Sequence, residues 1–211
     1  MDILIIITVL LLAYLLGSIP TAVWVGKQFH GIDVREHGSG NAGATNVIRV
    51  LGWKTGIPVL IIDVAKGWLA AYLPVIFKLA EHGNETLTTF QIVAGLIAIT
   101  GHIFPVFARF HGGKGVGTTF GVLLSLHPLL TLSCAAVFLT VLLITGYVSV
   151  SSMSAGIAFP ILLFFVFGTP SLVFKIFSVF VAVALILTHR KNIRRLVKGE
   201  ESKFIKRKKK E

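Results

Sequence analysis

The sequence predicts an all-α integral membrane protein with seven transmembrane helices. Mean hydropathy is +0.86 and 55% of the residues are hydrophobic, more than a soluble domain of this length needs. The apolar residues fall in successive long runs, so the chain is multi-pass rather than singly anchored. Lysine and arginine gather on one side of those runs. The 211 residues form one bundle, 1–192, with a basic tail, 193–211, and leave no room for a separate soluble domain.

Span one is expected from Ile3 to Val25. It has no basic leading region and no persuasive cleavage site, so it reads as a retained span, not a signal peptide. Gly26 to His37 is mixed and polar, suited to a short interfacial helix. A glycine-rich loop follows, Gly38-Ser-Gly-Asn-Ala-Gly43. Thr45 is a candidate N-cap for a short helix from Asn46 to near Gly52. Span two runs roughly from Gly56 to Leu79 and span three from Thr89 to Phe110. Gly112-Gly-Lys-Gly-Val-Gly-Thr-Thr119 opens span four. His127-Pro128 interrupts the apolar pattern after about 12 residues, or ~18 Å of helix, short for a bilayer. Two helices joined by a tight turn, or one long kinked helix, both fit. Gly146 to Ser152 is a third small, polar tip. Span six covers Met153 to Phe167, a Gly168-Thr-Pro170 turn follows, and span seven covers Ser171 to Thr188.

Charge placement favours the split at His127-Pro128. With the N-terminus outside, Lys27, Arg35, Arg49, Lys54, Lys66, Arg109, Lys114 and the tail from Arg190 fall inside or toward the inside. Only Lys78 and Lys175 fall outside. The C-terminus is then cytoplasmic, and three glycine-rich hairpin tips share the cytoplasmic face.

The formal charge of +11 would suit nucleic acid, but much of it sits in the tail directly after a hydrophobic run. That placement suits anionic lipid headgroups, and no nucleic-acid partner is expected. Cys134, the single cysteine, reads as a packing residue.

Glycines that permit φ > 0, short polar donors and a nearby cation are the ingredients of a phosphate site. Ser39, Gly40, Asn41, Thr45, Asn46 and Arg49 supply them in the first loop. Gly112, Gly113, Lys114 and Gly115 supply them at a helix start, without the spacing of a nucleotide-binding Walker loop. Asp63 and Lys66, three apart, form either an ion pair or, for Lys66, an anion contact. His102 is a packing residue or a site residue. His189 and Asn192 share a face; they are interfacial polar residues or hold a substrate hydroxyl. The histidines are scattered, with no metal-ligand spacing, and no nucleophile–base motif is legible. Neither metal nor cofactor is expected.

The stretches Gly38–Arg49, Asp63-Val-Ala-Lys-Gly67, Gly101-His-Ile-Phe-Pro-Val-Phe107 with Gly112–Thr118, Tyr147-Val-Ser149 and His189-Arg-Lys-Asn192 resemble the bacterial acyl-phosphate glycerol-3-phosphate acyltransferases (PlsY). The resemblance spans the membrane region in order. It departs at Gly117, where many members have alanine, and does not cover the tail after Gly199. It implies a bacterial inner-membrane enzyme that moves a fatty acyl group from acyl phosphate to the sn-1 hydroxyl of glycerol 3-phosphate, giving lysophosphatidic acid and phosphate. By the same resemblance Ser39, Arg49 and Lys114 bind phosphate, Ser149 contacts substrate, and His189 and Asn192 position glycerol 3-phosphate. No side chain is expected to be an essential base, since a substrate phosphate oxygen can take the hydroxyl proton. An acyl-phosphate-producing enzyme is a candidate partner. An anion transporter would need polar access from both faces, and an acyl-CoA enzyme a His-x4-Asp pair; neither is seen. A lipid-binding scaffold leaves the three tips unexplained.

Overall fold

The computed structural model describes residues 3–169 and 171–205. Pro170 of the expected turn and the end of the basic tail, 206–211, lie outside them. The described residues contain ten α-helices and no strand. They form two compact units, Met1–Pro128 and Leu129–Glu211.

In unit 1 the expected first span, Ile3 to Val25, is broken into α1 (Ile3–Ser18) and α2 (Thr21–His30). They meet at a 43° bend. Pro20 is the cause: it lacks an N–H and its ring crowds the preceding turn, so α1 cannot continue through it. The expected interfacial helix over 26–37 is instead the end of α2 plus a 3₁₀ turn, Val34–Glu36. Next come α3 (Ala44–Leu51) and α4 (Trp53–Ile76), then α5 (Glu85–Ile103), a 3₁₀ turn (Val106–Ala108) and α6 (Val116–Leu126). The α3 N-cap is Gly43, not Thr45, and no side chain caps it.

Helix α4 is the hub of unit 1 and packs against α1, α2, α3, α5 and α6. Small residues let it do so. Val9, Ala13, Ala70, Ala94 and Ala98 are fully buried where α1, α4 and α5 meet. Close approach of backbones is how apolar helices gain contact when lipid is as apolar as their side chains. The α4–α6 contact is reciprocal. A Cβ on Gly67 would collide with the Thr118 carbonyl oxygen, and one on Gly121 with the Val64 carbonyl oxygen. Large apolar side chains such as Ile57, Ile61, Leu4 and Ile7 point outward, as helices that are apolar all round do when lipid surrounds them.

In unit 2, α7 (Pro128–Thr145, its Pro128 assigned to unit 1) is followed by α8 (Val148–Leu162), a π-helical turn (Leu163–Phe167), α9 (Leu172–Thr188) and α10 (Arg190–Val197). The helix does break at His127, whose φ of −153° is not helical. Phe159 packs edge-on against Phe174 and Phe177, joining α8 to α9. Helix α10 leaves α9 at 54° and runs through the expected domain boundary at 192/193.

Among the described residues four helices are long and apolar enough to cross a membrane, or up to six if each bent pair is one span. The remaining apolar helix, α6, has 11 residues, about 16 Å of rise.

The α4–α6 contact makes a clean stability test. Gly67→Ala should lower the melting temperature, since overpacking a tight contact costs about 1–3 kcal/mol. Gly117→Ala should leave it nearly unchanged. Its Cβ would meet Asp63 Cβ at 3.3 Å and Leu60 Cδ1 at 3.5 Å, and alanine's better helix propensity offsets the small displacement. Thermal melts of the purified proteins in detergent decide it.

Candidate functional site

The first glycine-rich loop is built around Asn46, which is 1% exposed. Its Oδ1 accepts from Ser39 N at 2.8 Å and Ser39 Oγ at 3.1 Å. Its Nδ2 donates to the Val34 carbonyl at 2.7 Å and the His37 carbonyl at 3.0 Å. Asn46 is therefore the loop's scaffold. Gly38 and Gly40 sit at φ +60° and +73°, where a β-carbon is disfavoured. The Gly40 N–H donates to the His37 carbonyl, and the Gly43 N–H to the Asn41 carbonyl. Thr45 lies in the first turn of α3, and Arg49 is exposed on that helix.

The second loop is held by the end of α5. Gly112 N–H donates to the Ile103 carbonyl at 3.1 Å and Gly113 N–H to the His102 carbonyl at 3.2 Å. A Cβ on Gly112 would strike that His102 oxygen, and one on Gly113 would stand 2.7 Å from the Ala42 carbonyl oxygen. The two loops, some seventy residues apart in sequence (roughly one domain's worth of chain in a small protein), thus pack backbone to backbone. Gly115 ends the loop at φ +77° as the N-cap of α6, with half-buried Lys114 just before it. These glycines serve turns and close approach: the amides of Gly40 and Gly43 donate to carbonyls two or three residues back, and those of Gly112 and Gly113 to the end of α5.

Beneath the loops lies a buried polar network. Lys66 Nζ pairs with Asp63 Oδ1 at 2.9 Å and donates to the Ile19 carbonyl at 2.7 Å. Asp63 Oδ1 also accepts from Thr21 Oγ1 at 3.2 Å and lies 3.8 Å from His102 Nδ1. His102 Nδ1 in turn is 3.0 Å from Thr118 Oγ1. Asp63 and Lys66 are 3% and 4% exposed. The structure thus places Lys66 in the ion pair, one of its two readings from sequence, and His102 among packing partners.

Sequence reasoning passed over Arg35 as one more inside charge. Its Nε and Nη2 donate to Asp33 at 2.9 and 2.7 Å. Its Nη1 donates to the carbonyls of Ala108 at 3.1 Å and His111 at 3.2 Å. These carbonyls flank Arg109 and Phe110, both at positive φ, a conformation that costs a non-glycine residue of order 1–3 kcal/mol. Arg35 clamps both shoulders of this strained turn, which leads into Gly112. The Asp33-x-Arg35 spacing was the available signal, because an aspartate readily bonds the backbone two residues on.

Unit 2 holds the remaining predicted residues. Ser149 starts α8, His189 joins α9 to α10, and Asn192 lies on α10; all three are buried. His189 Nδ1 is 2.7 Å from the Leu185 carbonyl oxygen. A carbonyl only accepts, so Nδ1 carries a proton. Ser149 Oγ and Asn192 Nδ2 both donate to one oxygen of Glu201, at 2.8 and 2.6 Å. Glu201 was not anticipated. Its signal was an acidic pair, Glu200-Glu201, in an otherwise lysine-rich tail. Among the described residues no His, Cys, Asp or Glu cluster could hold a metal ion.

The family described as glycerol-3-phosphate acyltransferase matches residues 7–199. A glycerol-3-phosphate acyltransferase of Salinibacter ruber is 43% identical over 210 residues, covering 93% of this chain and 91% of the relative. One of Geobacillus kaustophilus is 47% identical over 195 residues, covering 92% and 94%. The crystal structure of PlsY (YgiH), an integral membrane glycerol 3-phosphate acyltransferase, in its glycerol 3-phosphate form is similar with a TM-score of 0.83 at 37% identity, covering 95% of this chain and 96% of that one. Its lysophosphatidic acid form gives 0.80 at 36%, covering 94% of each.

The Arg35 clamp predicts a pH dependence. Hydrogen bonds from Arg35 hold the Asp33 carboxyl well below the usual carboxylate range. A depressed folded-state pKa contributes stability in full above the unfolded value, about pH 4, and loses it as pH falls through the folded one. Asp33→Asn should therefore melt lower than wild type at pH 7, with the gap closing as pH drops below about 4. Parallel melts across that range check it; a gap independent of pH would assign the clamp's strength elsewhere.

Proposed function

Because this chain belongs to the glycerol-3-phosphate acyltransferase family, we propose that it transfers a fatty acyl group from acyl phosphate to the sn-1 hydroxyl of glycerol 3-phosphate. The products are lysophosphatidic acid and inorganic phosphate. The enzyme is an acyltransferase and an integral membrane protein. On this reading it lies in the bacterial plasma membrane with seven spans, the short α6 among them, its N-terminus outside and its C-terminus inside.

The observation that carries the reading is the joining of the two long motifs. Gly113 is set against the Ala42 carbonyl and tied to His102, within a family match over residues 7–199. Ser39, Arg49 and Lys114 are assigned to substrate phosphates. Gly40, Asn46, His102, Gly112, Gly113 and Gly115 shape and hold those loops, and Asn41, Thr45 and Lys66 are kept as candidate substrate contacts. Ser149, His189 and Asn192 are assigned to the glycerol portion.

Acyl phosphate is a mixed anhydride and already activated. The hydroxyl oxygen attacks the acyl carbon, the C–O bond to phosphate breaks, and phosphate leaves. A phosphate oxygen of the substrate takes the hydroxyl proton, so no covalent intermediate and no protein base are required. What the enzyme must supply is alignment and countercharge for two anions that repel each other. The acyl chain enters sideways from lipid. Anionic headgroups meet the basic tail, and an acyl-phosphate-producing enzyme is the natural supplier of the donor.

The test is phosphate release by purified protein given acyl phosphate, with and without glycerol 3-phosphate, and then acyl-CoA. Release should need both substrates, yield lysophosphatidic acid, and be absent with acyl-CoA; turnover with acyl-CoA alone would overturn the donor. Arg49→Ala and Lys114→Ala should each lower kcat/KM by roughly ten- to a hundredfold, the worth of one charge-assisted contact. His189→Ala should retain measurable turnover. Complete loss with unchanged substrate affinities would make His189 a base and sink the substrate-assisted route.

A further inference from the structure

The two cations assigned to phosphate project from separate stretches of chain, Arg49 from α3 and Lys114 from the loop before α6. Two anions can be aligned only if those stretches keep their separation. The turn that leads into the Lys114 loop is poorly suited to keep it unaided. Arg109 and Phe110 stand in succession at φ +54° and +58°, where a Cβ crowds its own backbone. Both side chains are exposed, so burial does not hold them there. Local bonds do part of the work: Phe110 N–H donates to the Pro105 carbonyl at 2.9 Å and His111 N–H to the Ala108 carbonyl at 3.2 Å.

We propose that Arg35 is a positioning residue for acyl transfer: by tying both ends of the Arg109–Phe110 turn to the first glycine-rich loop, it sets where Lys114 stands. The inference rests on the acyltransferase reading above. The backbone of Arg35 belongs to that first loop. The Val34 and His37 carbonyls on either side of it hold Asn46, and a Cβ on Gly40 would stand 3.3 Å from the Arg35 carbonyl oxygen. The side chain of Arg35 reaches carbonyls 73 and 76 residues further on, those of Ala108 and His111. His111 is three residues before Lys114. The amides of Gly112 and Gly113 fix this stretch to the end of α5, and Arg35 fixes it to the loop from which α3 starts.

Only a planar fork suits the task. One edge of the guanidinium, Nε and Nη2, meets the Asp33 carboxylate at 2.9 and 2.7 Å. That pairing sets the plane in which Nη1 offers its two hydrogens to the two carbonyls, at 3.1 and 3.2 Å. Asp33 is itself held, with Oδ2 at 3.2 Å from Lys27 Nζ and Oδ1 accepting from the Arg35 N–H at 3.0 Å. A lysine ammonium is a single point on a flexible stem and cannot span a carboxylate and two carbonyls in this way. Arg35→Lys therefore keeps the charge beside Asp33 and removes the span.

A double-mutant cycle tests it. Arg35→Lys, Lys114→Ala and the pair are compared with wild type by calorimetric affinity for inorganic phosphate and for glycerol 3-phosphate without acyl donor, by kcat/KM, and by melting temperature. Arg35→Lys should weaken phosphate binding and lower kcat/KM about tenfold where Lys114 is present. In the Lys114→Ala background the same change should cost less than about twofold, because a residue that acts through another is not additive with it. Phe110→Gly accepts positive φ without a Cβ. Added to Arg35→Lys it should recover at least about threefold, and alone it should match wild type. Equal losses in the two backgrounds would give Arg35 a general role in folding and overturn the proposal. Wild-type behaviour of Arg35→Lys, or no recovery with Phe110→Gly, would overturn it too. Binding needs no donor, so an incorrect donor assignment would appear as absent turnover with the cycle intact in the binding data.

Discussion

A carboxylate and an ammonium buried side by side are the constraint from which unit 1 follows. Asp63 and Lys66 lie one turn apart on α4, and neither reaches solvent. Removing one partner of such a pair typically costs 3–5 kcal/mol, because the other charge is stranded. The pair is tolerable only with its remaining hydrogen-bonding capacity met, and its partners come from elsewhere in the chain. Pro20 breaks the first apolar run, and the break frees the Ile19 carbonyl, which Lys66 takes. Thr21, first residue of α2, supplies its hydroxyl to Asp63. On the other side His102 faces Asp63 and shares Nδ1 with Thr118 on α6. Intramembrane charges in general face inward and pair; here the pair also takes up groups that the Pro20 break presents.

The same residues carry the loops. The carbonyls of His102 and Ile103, at the end of α5, receive the amides of Gly113 and Gly112. Gly67 brings α4 against the Thr118 carbonyl, so the hub helix and the helix that follows the loop are locked one residue from the network. Arg35 holds the strained turn at Arg109 and Phe110 from outside. The glycine-rich stretches are thus rigid pieces of backbone, clamped at several points, and not flexible flaps.

Much of this was legible in the sequence, for identifiable reasons. Hydropathy and the Gly/Pro punctuation located the apolar helices, and the short reach of Gly115 to Leu126 together with His127-Pro128 gave the break between α6 and α7. Pro20 was overlooked because the apolar run continues through it; periodicity does not register a missing N–H. The N-cap was misplaced at Thr45 because side-chain capping was assumed, whereas Gly43 begins the helix with extended backbone (φ −144°) and no side-chain bond. The glycine motifs marked where the loops fall, but composition cannot say which way an amide points: those of Gly40 and Gly43 turn to carbonyls just before them, and those of Gly112 and Gly113 to the end of α5. Asp63 and Lys66 were correctly paired as an alternative by their spacing of three. Arg35 and Glu201 were passed over because the groups that give them meaning, the carbonyls of Ala108 and His111 for one and Ser149 for the other, are distant in sequence.

A frame built by glycines, with Arg49 and Lys114 proposed as the countercharge, suits the chemistry. A loop amide that donates to a neighbouring carbonyl cannot also grip phosphate, but it fixes the Cα from which a charged side chain projects. An activated acyl donor needs no strong base and no covalent relay; the barrier that remains is mostly the work of bringing two like-charged reactants into line. Two features lower such a barrier: fixed positive charge, and groups that do not reorganise as the reaction proceeds. Lys114 follows a loop tied to two carbonyls, and Arg49 rides on a helix whose first turn is held by Asn46. Close-packed glycines, buried hydrogen bonds and one buried ion pair hold this scaffold together for reasons independent of the reaction, and on the proposed route that fixed geometry matters more than any single acid or base.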